Sequence, residues 1–519
     1  RHAFSRLEGI YHVPAGEEHR RGDAYVDPEH PYASDLDLYG PSSLFEQLNT
    51  TQTPGGEAML AGWLAAPAAP DEIAARQRAA RELSNHDRLR EDMAVAGMRA
   101  GKIDRDAAPF LAWAKQRPVM SAGSFYAALA LASLTVVLLI ATGFMEPPWS
   151  RAWLVGVGAQ VVLIVALRAR VEAVLAPVCV KQSPLSTYQD LMRIVEAHDF
   201  EDDRLRGLQA QLREPTRASE QMERLERLVG LASVRHNALV QVLADIFLSW
   251  DVWCAYLLDR WRARHGARVA DWLEALSEIE ALASLATFAR EHPDYVWPRV
   301  ADGATRFGGR EIGHPLIVAE RRVDNDAALS DGVRALMITG SNMSGKSTML
   351  RSMGLGAVLA QAGAPVCAAE LTMSPVRVFT SMRVGDALDR GVSRFYMEVE
   401  KLKRIVDALD EAGAPVMFLL DEVLHGTNSR ERIIGAKAVV RYLVEHGAIG
   451  AVSSHDLGLV ELERLTDGKV KNVHFEDHIE NGRMCFDYRM KAGAVSTSNA
   501  LRLMRDVGLT VPGLSDEDA

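Results

Sequence analysis

Gly340-Ser341-Asn342-Met343-Ser344-Gly345-Lys346-Ser347 is the stretch on which the fold of this chain turns. It fits the eight-position pattern G-x-x-x-x-G-K-[ST], in which a glycine-rich loop presents backbone N–H groups to phosphate oxygens. The apolar run Ala335-Leu336-Met337-Ile338-Thr339 ahead of it predicts a strand, and Thr348-Met349-Leu350 after it predicts the opening of a helix. A strand, a tight turn and a helix N-terminus in that order make an anion site, because unpaired N–H groups and the helix dipole point the same way. Gly340 to Thr348 then cradle the phosphates of a nucleotide. Lys346 lies along the phosphates, and the Ser347 hydroxyl completes a Mg2+ shell. A bland glycine-rich turn is the competing reading, and the flanking strand and helix signals argue against it.

Two further stretches supply the chemistry that such a loop needs. Val416-Met417-Phe418-Leu419-Leu420 is an apolar run that predicts a strand ending in Asp421 and Glu422. Asp421 is expected to hold Mg2+ or its water, and Glu422 to orient and deprotonate the attacking water. Ala448-Ile449-Gly450-Ala451-Val452-Ser453-Ser454 predicts another strand, with His455 at its tip. There the imidazole is placed to sense a γ-phosphate or to position water. Gly426-Thr427-Asn428-Ser429 is too polar for a core and fits a link to a neighbouring subunit.

Composition sets bounds on the rest. The 519 residues suffice for two to four domains, and 58 basic against 69 acidic residues give a net charge of −11. No global basic field recruits nucleic acid, although charge can still be distributed unevenly. Cys179, Cys254, Cys367 and Cys485 have neither metal-like nor disulfide-like spacing and fit reduced thiols. His12, His19 and His30 read as surface polarity rather than a metal site. Position 1 is Arg, which reads as a fragment or a processed form with more chain ahead of it.

Val119 to Met145 carries no charge, and its centre is long enough to cross a hydrocarbon layer of about 30 Å. Glu146 to Arg151 predicts a turn, and Ala152 to Leu167 is a second uncharged run, somewhat short. Trp149 and Trp153 stand where interfacial aromatics belong, and Lys115, Arg117, Arg168 and Arg170 flank the pair. Residues 124–167 are therefore expected to form a membrane hairpin with both flanks in the cytoplasm, the competing reading being a buried helical hairpin in a large soluble core. Residues 1–40 read as a polar segment with short strands. Residues 41–118 and 169–296 read as two parts of one helical region, with 119–168 as the hairpin and 297–519 as an α/β domain. The run Leu239 to Leu258 contains Gln241, Asp245 and Asp251, so it reads as a buried helix rather than a third span.

Gly340–Thr348, Leu420–Ser429 and Ser453-Ser454-His455 together resemble the ATPase domain of the MutS family, a mechanistic relative of ABC ATPases. Phe379-Thr380-Ser381-Met382-Arg383 and Gly391–Glu398 resemble that family's ordered loop and signature segment. Phe486–Gly493 with Ser498-Asn499-Ala500 resembles its C-terminal dimer and nucleotide segment, and Gly313-His314-Pro315-Leu316 its domain entry. Ser43–Gly56 through Trp63-Leu64, with Arg76-Gln77, resembles the start of its core or lever region. The resemblance covers roughly residues 36–115 and 170–510.

The resemblance implies a fold, a site and partners. The fold is a helical core or lever, interrupted by the hairpin and followed by an ABC-like α/β P-loop domain. The nucleotide is ATP, with His314 and Pro315 near its base. Ser393 reaches the γ-phosphate held by the other subunit of a homodimer formed through the ATPase domains. The sequence departs from the family in four ways. Arg394 stands where mismatch-repair members have threonine, and no mismatch-reading segment precedes the lever. The helical core is short, and no nuclease segment follows residue 510. The implied protein is a dimeric ATPase that couples ATP binding and hydrolysis to lever movement, with duplex DNA as a partner. The alternative is a membrane-tethered mechanochemical ATPase acting on a protein or lipid. Its expected place is the inner (cytoplasmic) membrane, with the ATPase and lever on the cytoplasmic side.

Overall fold

A computed structural model describes residues 21–99, 108–142, 149–179, 185–233, 238–341, 343–382, 394–424, 428–480 and 483–494. Helices come first: α1 Leu44–Leu48, α2 Pro54–Ala65, α3 Pro70–Ser84, α4 Asp87–Arg99, α5 Ala108–Lys115, α6 Ala122–Thr142 and α7 Trp153–Leu175. They continue with α8 Leu185–Ala197, α9 Asp203–Arg213, α10 Ala218–Ala232, α11 Ala238–Leu248 and α12 Trp250–Glu291. Strands and helices then alternate: β1 Arg299–Val300, β2 Phe307–Ile312, β3 Asn325–Leu329, β4 Ala335–Thr339, α13 Lys346–Ala362, β5 Glu370–Met373 and β6 Arg377–Ser381. The chain goes on through α14 Arg394–Asp407, β7 Val416–Asp421, α15 Ser429–Glu445, β8 Ile449–Ser454, α16 Leu462–Leu465, β9 Val470–Glu480 and β10 Arg483–Ala492.

Local chemistry fixes several of these boundaries. At α1, Ser43 Oγ accepts from Glu46 N, while the Glu46 carboxylate accepts from Ser42 N at 2.6 Å, a reciprocal arrangement that starts the helix. Asp202 starts α9 by accepting from Arg204 N and Leu205 N, and Asn428 starts α15 by accepting from Glu431 N. The stripe of leucines from Leu205 to Val229 breaks at Glu214-Pro215, between α9 and α10.

The strands form two sheets. One has four strands in the order β1-β5-β2-β3, and the other has six in the order β10-β9-β4-β8-β7-β6. In the larger sheet β9, β4, β8, β7 and β6 are parallel, and β10 runs antiparallel beside β9. β4 and β8 are buried along their whole length, as expected of parallel strands with helices on both faces. Leu402 and Ile405 of α14, Val440 and Leu443 of α15, and Leu462 of α16 pack with Phe418 and Leu420 of β7 in one core. The strand order places β8 between β4 and β7, and this positions the site.

The chain separates into two compact units, residues 1–49, 60–84 and 284–519 in one, and 50–59 and 85–283 in the other. These limits differ from the divisions expected at 40, 118, 168 and 296. Part of the expected polar segment and of the expected helical region folds with the sheets. Within that first unit Leu36 and Leu38 are fully buried, and Asp35 accepts from Thr380 Oγ1 at 2.8 Å. Asp37 pairs with Arg351, and Gln77 Nε2 donates to Pro298 O at 3.0 Å. Residues 21–40 carry turns and a short 3-10 helix, not the expected strands. Here His30 is a structural residue: its ring faces Ala65 O at 3.0 Å and accepts from Ala33 N.

The second unit holds the two apolar helices. α6 and α7 are the two described helices long and apolar enough, by length and composition, to cross a membrane. They pack together at Gly156, where an added Cβ would meet Thr135 Oγ1 at 2.6 Å. Ile140, Val155, Val162 and Val165 are exposed, Val155 at 76%. The short second run is no obstacle to length, because α7 continues through Arg168 and Arg170 to Leu175. The stretch from Leu239 to Leu258 departs from the expected single buried helix. It bends by 77° at Ser249, and only the part after the bend is buried, at Val252, Cys254, Ala255 and Leu258. Ahead of the bend, Val240, Val242, Leu243 and Leu248 are exposed. The left-handed backbone at Ser249 (φ 51°) turns α11 away from the axis of α12 and leaves that side of it uncovered.

Candidate nucleotide site

The glycine-rich loop connects the buried end of β4 to α13. Gly340 (φ 147°) and Gly345 (φ 109°) adopt backbone that residues with a Cβ avoid. At Gly340 a Cβ would also come within 2.8 Å of Phe475 O on the adjacent β9. Lys346 is buried, and its Nζ donates to the loop's own carbonyls of Gly340 and Ser341, each at 2.8 Å. Burial pushes the Lys346 pKa down, while the charges of Glu422 and Asp421 push it up. Lys346 and the two carboxylates therefore share one electrostatic neighbourhood.

The middle strand brings the remaining groups in. Asp421 is in register with Ser453, whose Oγ donates to Asp421 Oδ1. Thr339, at the end of β4, is in register with Ser454. His455, one residue further, thus emerges between the loop and the carboxylates, and its Nδ1 lies 3.2 Å from Glu422 Oε1. Glu422 leaves the strand in a left-handed conformation (φ 53°), with its N–H donating to Ser453 O at 3.1 Å. That kink lets two successive residues serve one site, because side chains along a regular strand alternate between faces. Glu398 of α14, itself buried, accepts from Leu424 N and ties the segment after the carboxylates to that helix.

Beside the loop is a cavity of about 510 Å3. Gly345 and Thr348 form one wall, and Ile312, His314, Ile317, Phe475 and Tyr488 line much of the rest. Its apolar and aromatic lining and its size are those of a small-molecule pocket. Burial, and secondarily Arg351, push the His314 pKa down to about 4, so its ring is neutral at neutral pH. Its Nδ1 accepts from Leu316 N, which leaves the ring proton on Nε2. Pro315 is buried and does not line the cavity, so of the expected pair only His314 does.

The loop suits phosphate and a cation. Among the described residues Ser344 Oγ and Ser341 Oγ are buried without a hydrogen-bond partner, while Ser347 and Thr348 are exposed. Two orphan hydroxyls beside a lysine are donors awaiting an acceptor. Ser347 Oγ and the Asp421 carboxylate are oxygen ligands of the kind Mg2+ takes. Asn342 and the expected trans residue Ser393 lie outside the described residues, as do Gly426, Thr427 and Ser498-Asn499-Ala500.

Sequence reasoning missed Phe475, Asn325 and Asp35, whereas Tyr488 lies in the Phe486–Gly493 segment that it singled out. Phe475 and Tyr488 line the cavity. Asn325 donates to Tyr488 O at 2.9 Å and accepts from Met490 N at 2.7 Å, fixing β10 where its register shifts between Phe486 and Met490. Asp35, 3% exposed, accepts from Thr380 Oγ1 and Met382 N, and Lys401 Nζ lies 3.3 Å away. It joins the end of β6 to α14. A buried aspartate in a stretch with Leu36 and Leu38 was a weak signal for this. For Asn325 there was none.

Residues 336–512 match the family model described as MutS domain V. The chain is 36% identical over 248 residues to DNA mismatch repair protein MutS 2 of Halobacterium salinarum, covering 46% of this chain and 27% of that protein. It is 33% identical over 240 residues to DNA mismatch repair protein MutS of Shouchella clausii, covering 45% and 27%. It is 34% identical over 260 residues to DNA mismatch repair protein MSH3 of Phaeosphaeria nodorum, covering 48% and 22%. The chain thus spans about a quarter of the length of these curated relatives.

Proposed function

We propose that this chain, whose residues 336–512 match MutS domain V, is a MutS-family ATPase that hydrolyses ATP as a homodimer and moves its helical region. The observation carrying this reading is the convergence of Lys346, Asp421, Glu422 and His455 at the ends of β4, β7 and β8. The base occupies the cavity beside His314 and Tyr488. Lys346 exchanges the carbonyls of Gly340 and Ser341 for phosphate oxygens, and Ser341 and Ser344 donate their hydroxyls to them. Ser347 and Asp421 hold Mg2+, which when bound neutralises charge on the phosphates. Glu422 takes a proton from the attacking water, and His455 keeps that carboxylate oriented. Ser393 of the second subunit completes the site from across the interface.

Duplex DNA is the proposed partner by similarity to mismatch-repair proteins. The exposed apolar faces of α6 and α7 favour a second reading, in which residues 124–167 tether the ATPase to the inner membrane. A protein or lipid is then the object moved. One experiment separates the two: ATP hydrolysis by the full chain titrated with matched duplex, mismatched duplex and phospholipid vesicles. Salt-sensitive stimulation by both duplexes alike favours DNA without mismatch reading, because phosphate contacts release counterions. Stimulation by vesicles alone favours the tethered motor. No hydrolysis above that of Glu422→Gln under any condition would sink the reading.

A further inference from the structure

The uncovered helix α11 is apolar on its outer side and lies directly against the hairpin. It packs on both α6 and α7. Ser249, at its end, is held between the two helices: its Oγ lies 3.3 Å from Ala128 O on α6 and bonds Gln160 of α7. The polar groups of α11 are used internally. Asp245 Oδ1 accepts from Asp251 N at 2.8 Å, and Gln241 Nε2 donates to Asp251 Oδ2 at 3.0 Å. What remains facing outward is Val240, Val242, Leu243 and Leu248.

The depth of α11 follows from α12. The Tyr256 ring stacks on Phe125 at 4.3 Å, and the Asp259 carboxylate accepts from Val119 N and Met120 N at 2.7 Å. The start of α12 therefore accompanies the start of α6, and Ser249 reaches it one to two turns further in, at Ala128. An eleven-residue helix is about 16 Å long, roughly half of a 30 Å hydrocarbon layer. The 77° bend also carries it away from the axis of α12. Trp250 Nε1 donates to Leu231 O, and Trp250 and Trp253 lie side by side near the bend, the residue type that marks a membrane interface.

We propose that α11 is a third membrane-inserted element. It is a re-entrant helix confined to one leaflet, with Val240, Val242, Leu243 and Leu248 in contact with lipid acyl chains. The proposal rests on the hairpin being in the membrane, and its continuity with the exposed faces of α6 and α7 identifies lipid as what covers it. It predicts a membrane footprint wider than two helices on the side from which α12 leaves.

The test uses the full chain in phospholipid vesicles, with an environment-sensitive fluorophore on Leu243→Cys, Val155→Cys or Ile434→Cys and the labelled unsubstituted protein as background. Acyl-chain doxyl lipids are the quenchers. Comparable quenching at positions 243 and 155, with none at 434 on the exposed surface of α15, is the expected result. Quenching at 155 alone overturns the placement of α11 and leaves the hairpin standing. Quenching at none removes the membrane reading and this inference together. Equal quenching at all three means surface adsorption and also overturns it.

Discussion

The strands β7 and β8 and the helices α6 and α7 draw on the same side chains and use them in opposite ways. Leu419, Leu420, Ile449 and Val452 have no exposed surface, whereas Ile140, Val155, Val162 and Val165 face outward. What differs is the surroundings. The strands lie between helices that carry polar residues on their far sides, and β7 ends in Asp421 with Glu422 just beyond it. The two helices satisfy their own backbone hydrogen bonds and need no neighbour for that purpose. Apolar content therefore does not specify burial. Whether polar residues cap the layers around it does.

The widest separation between the two regions comes from charge. Val155→Asp together with Val162→Asp adds about 2.5–3.5 kcal/mol per charge if those positions face acyl chains. The double variant is expected in the supernatant after vesicle sedimentation, with phosphate release in detergent unchanged. Equal sedimentation of variant and parent would erase the contrast. In the sheet region, Glu422→Gln is expected to lower hydrolysis by about 10²–10⁴-fold, the usual scale for losing a general base. Nucleotide binding, read by equilibrium fluorescence, should survive, and its loss would assign Glu422 a structural role instead.

Smaller effects sharpen the picture. Asp35→Ala leaves Met382 N without its acceptor and the Thr380 hydroxyl with Pro31 O alone, which costs about 1–3 kcal/mol. Chemical denaturation should show that loss, and hydrolysis should fall with it. In the helical unit, Glu280 is fully buried and accepts from Gln52 N, Thr53 N and Thr53 Oγ1. Burial pushes its pKa up from 4.5 to about 7, against those donors. A raised carboxyl pKa means that the folded chain holds the proton more tightly than the unfolded one. Its contribution to stability is thus complete below pH 4.5 and lost as pH rises to about 7. Glu280→Gln should remove that slope, leaving the variant relatively more stable above pH 7 by about 1–3 kcal/mol. Parallel melting curves at pH 5 and pH 8 check it.

The site was legible wherever chemistry is compressed into a short run of chain. Gly340 to Ser347 and Leu420-Asp421-Glu422 announce themselves because turn geometry and strand ends constrain consecutive residues. His455 was legible only through the strand ahead of it. Asp35 was not: its partners Thr380 and Lys401 come from the far end of the chain, and no local pattern encodes such a meeting. The same holds for Asn325 with Tyr488. The helices α6 and α7 were visible as two uncharged runs, but the exposure of α11 was not foreseen because Gln241, Asp245 and Asp251 looked like residues needing a buried setting. Asp251, just past the bend, engages the other two.

The position of β8 has a consequence for how this protein tolerates change. It is hydrogen-bonded to β4 on one side and β7 on the other, with Thr339 opposite Ser454 and Asp421 opposite Ser453. Losing a single residue from the connection around His446 and Gly447 would slide that whole ladder by one rung and invert every side chain on it. Ser453 would then no longer meet Asp421, nor His455 meet Glu422. A deletion touching none of the reactive groups would silence all of them at once.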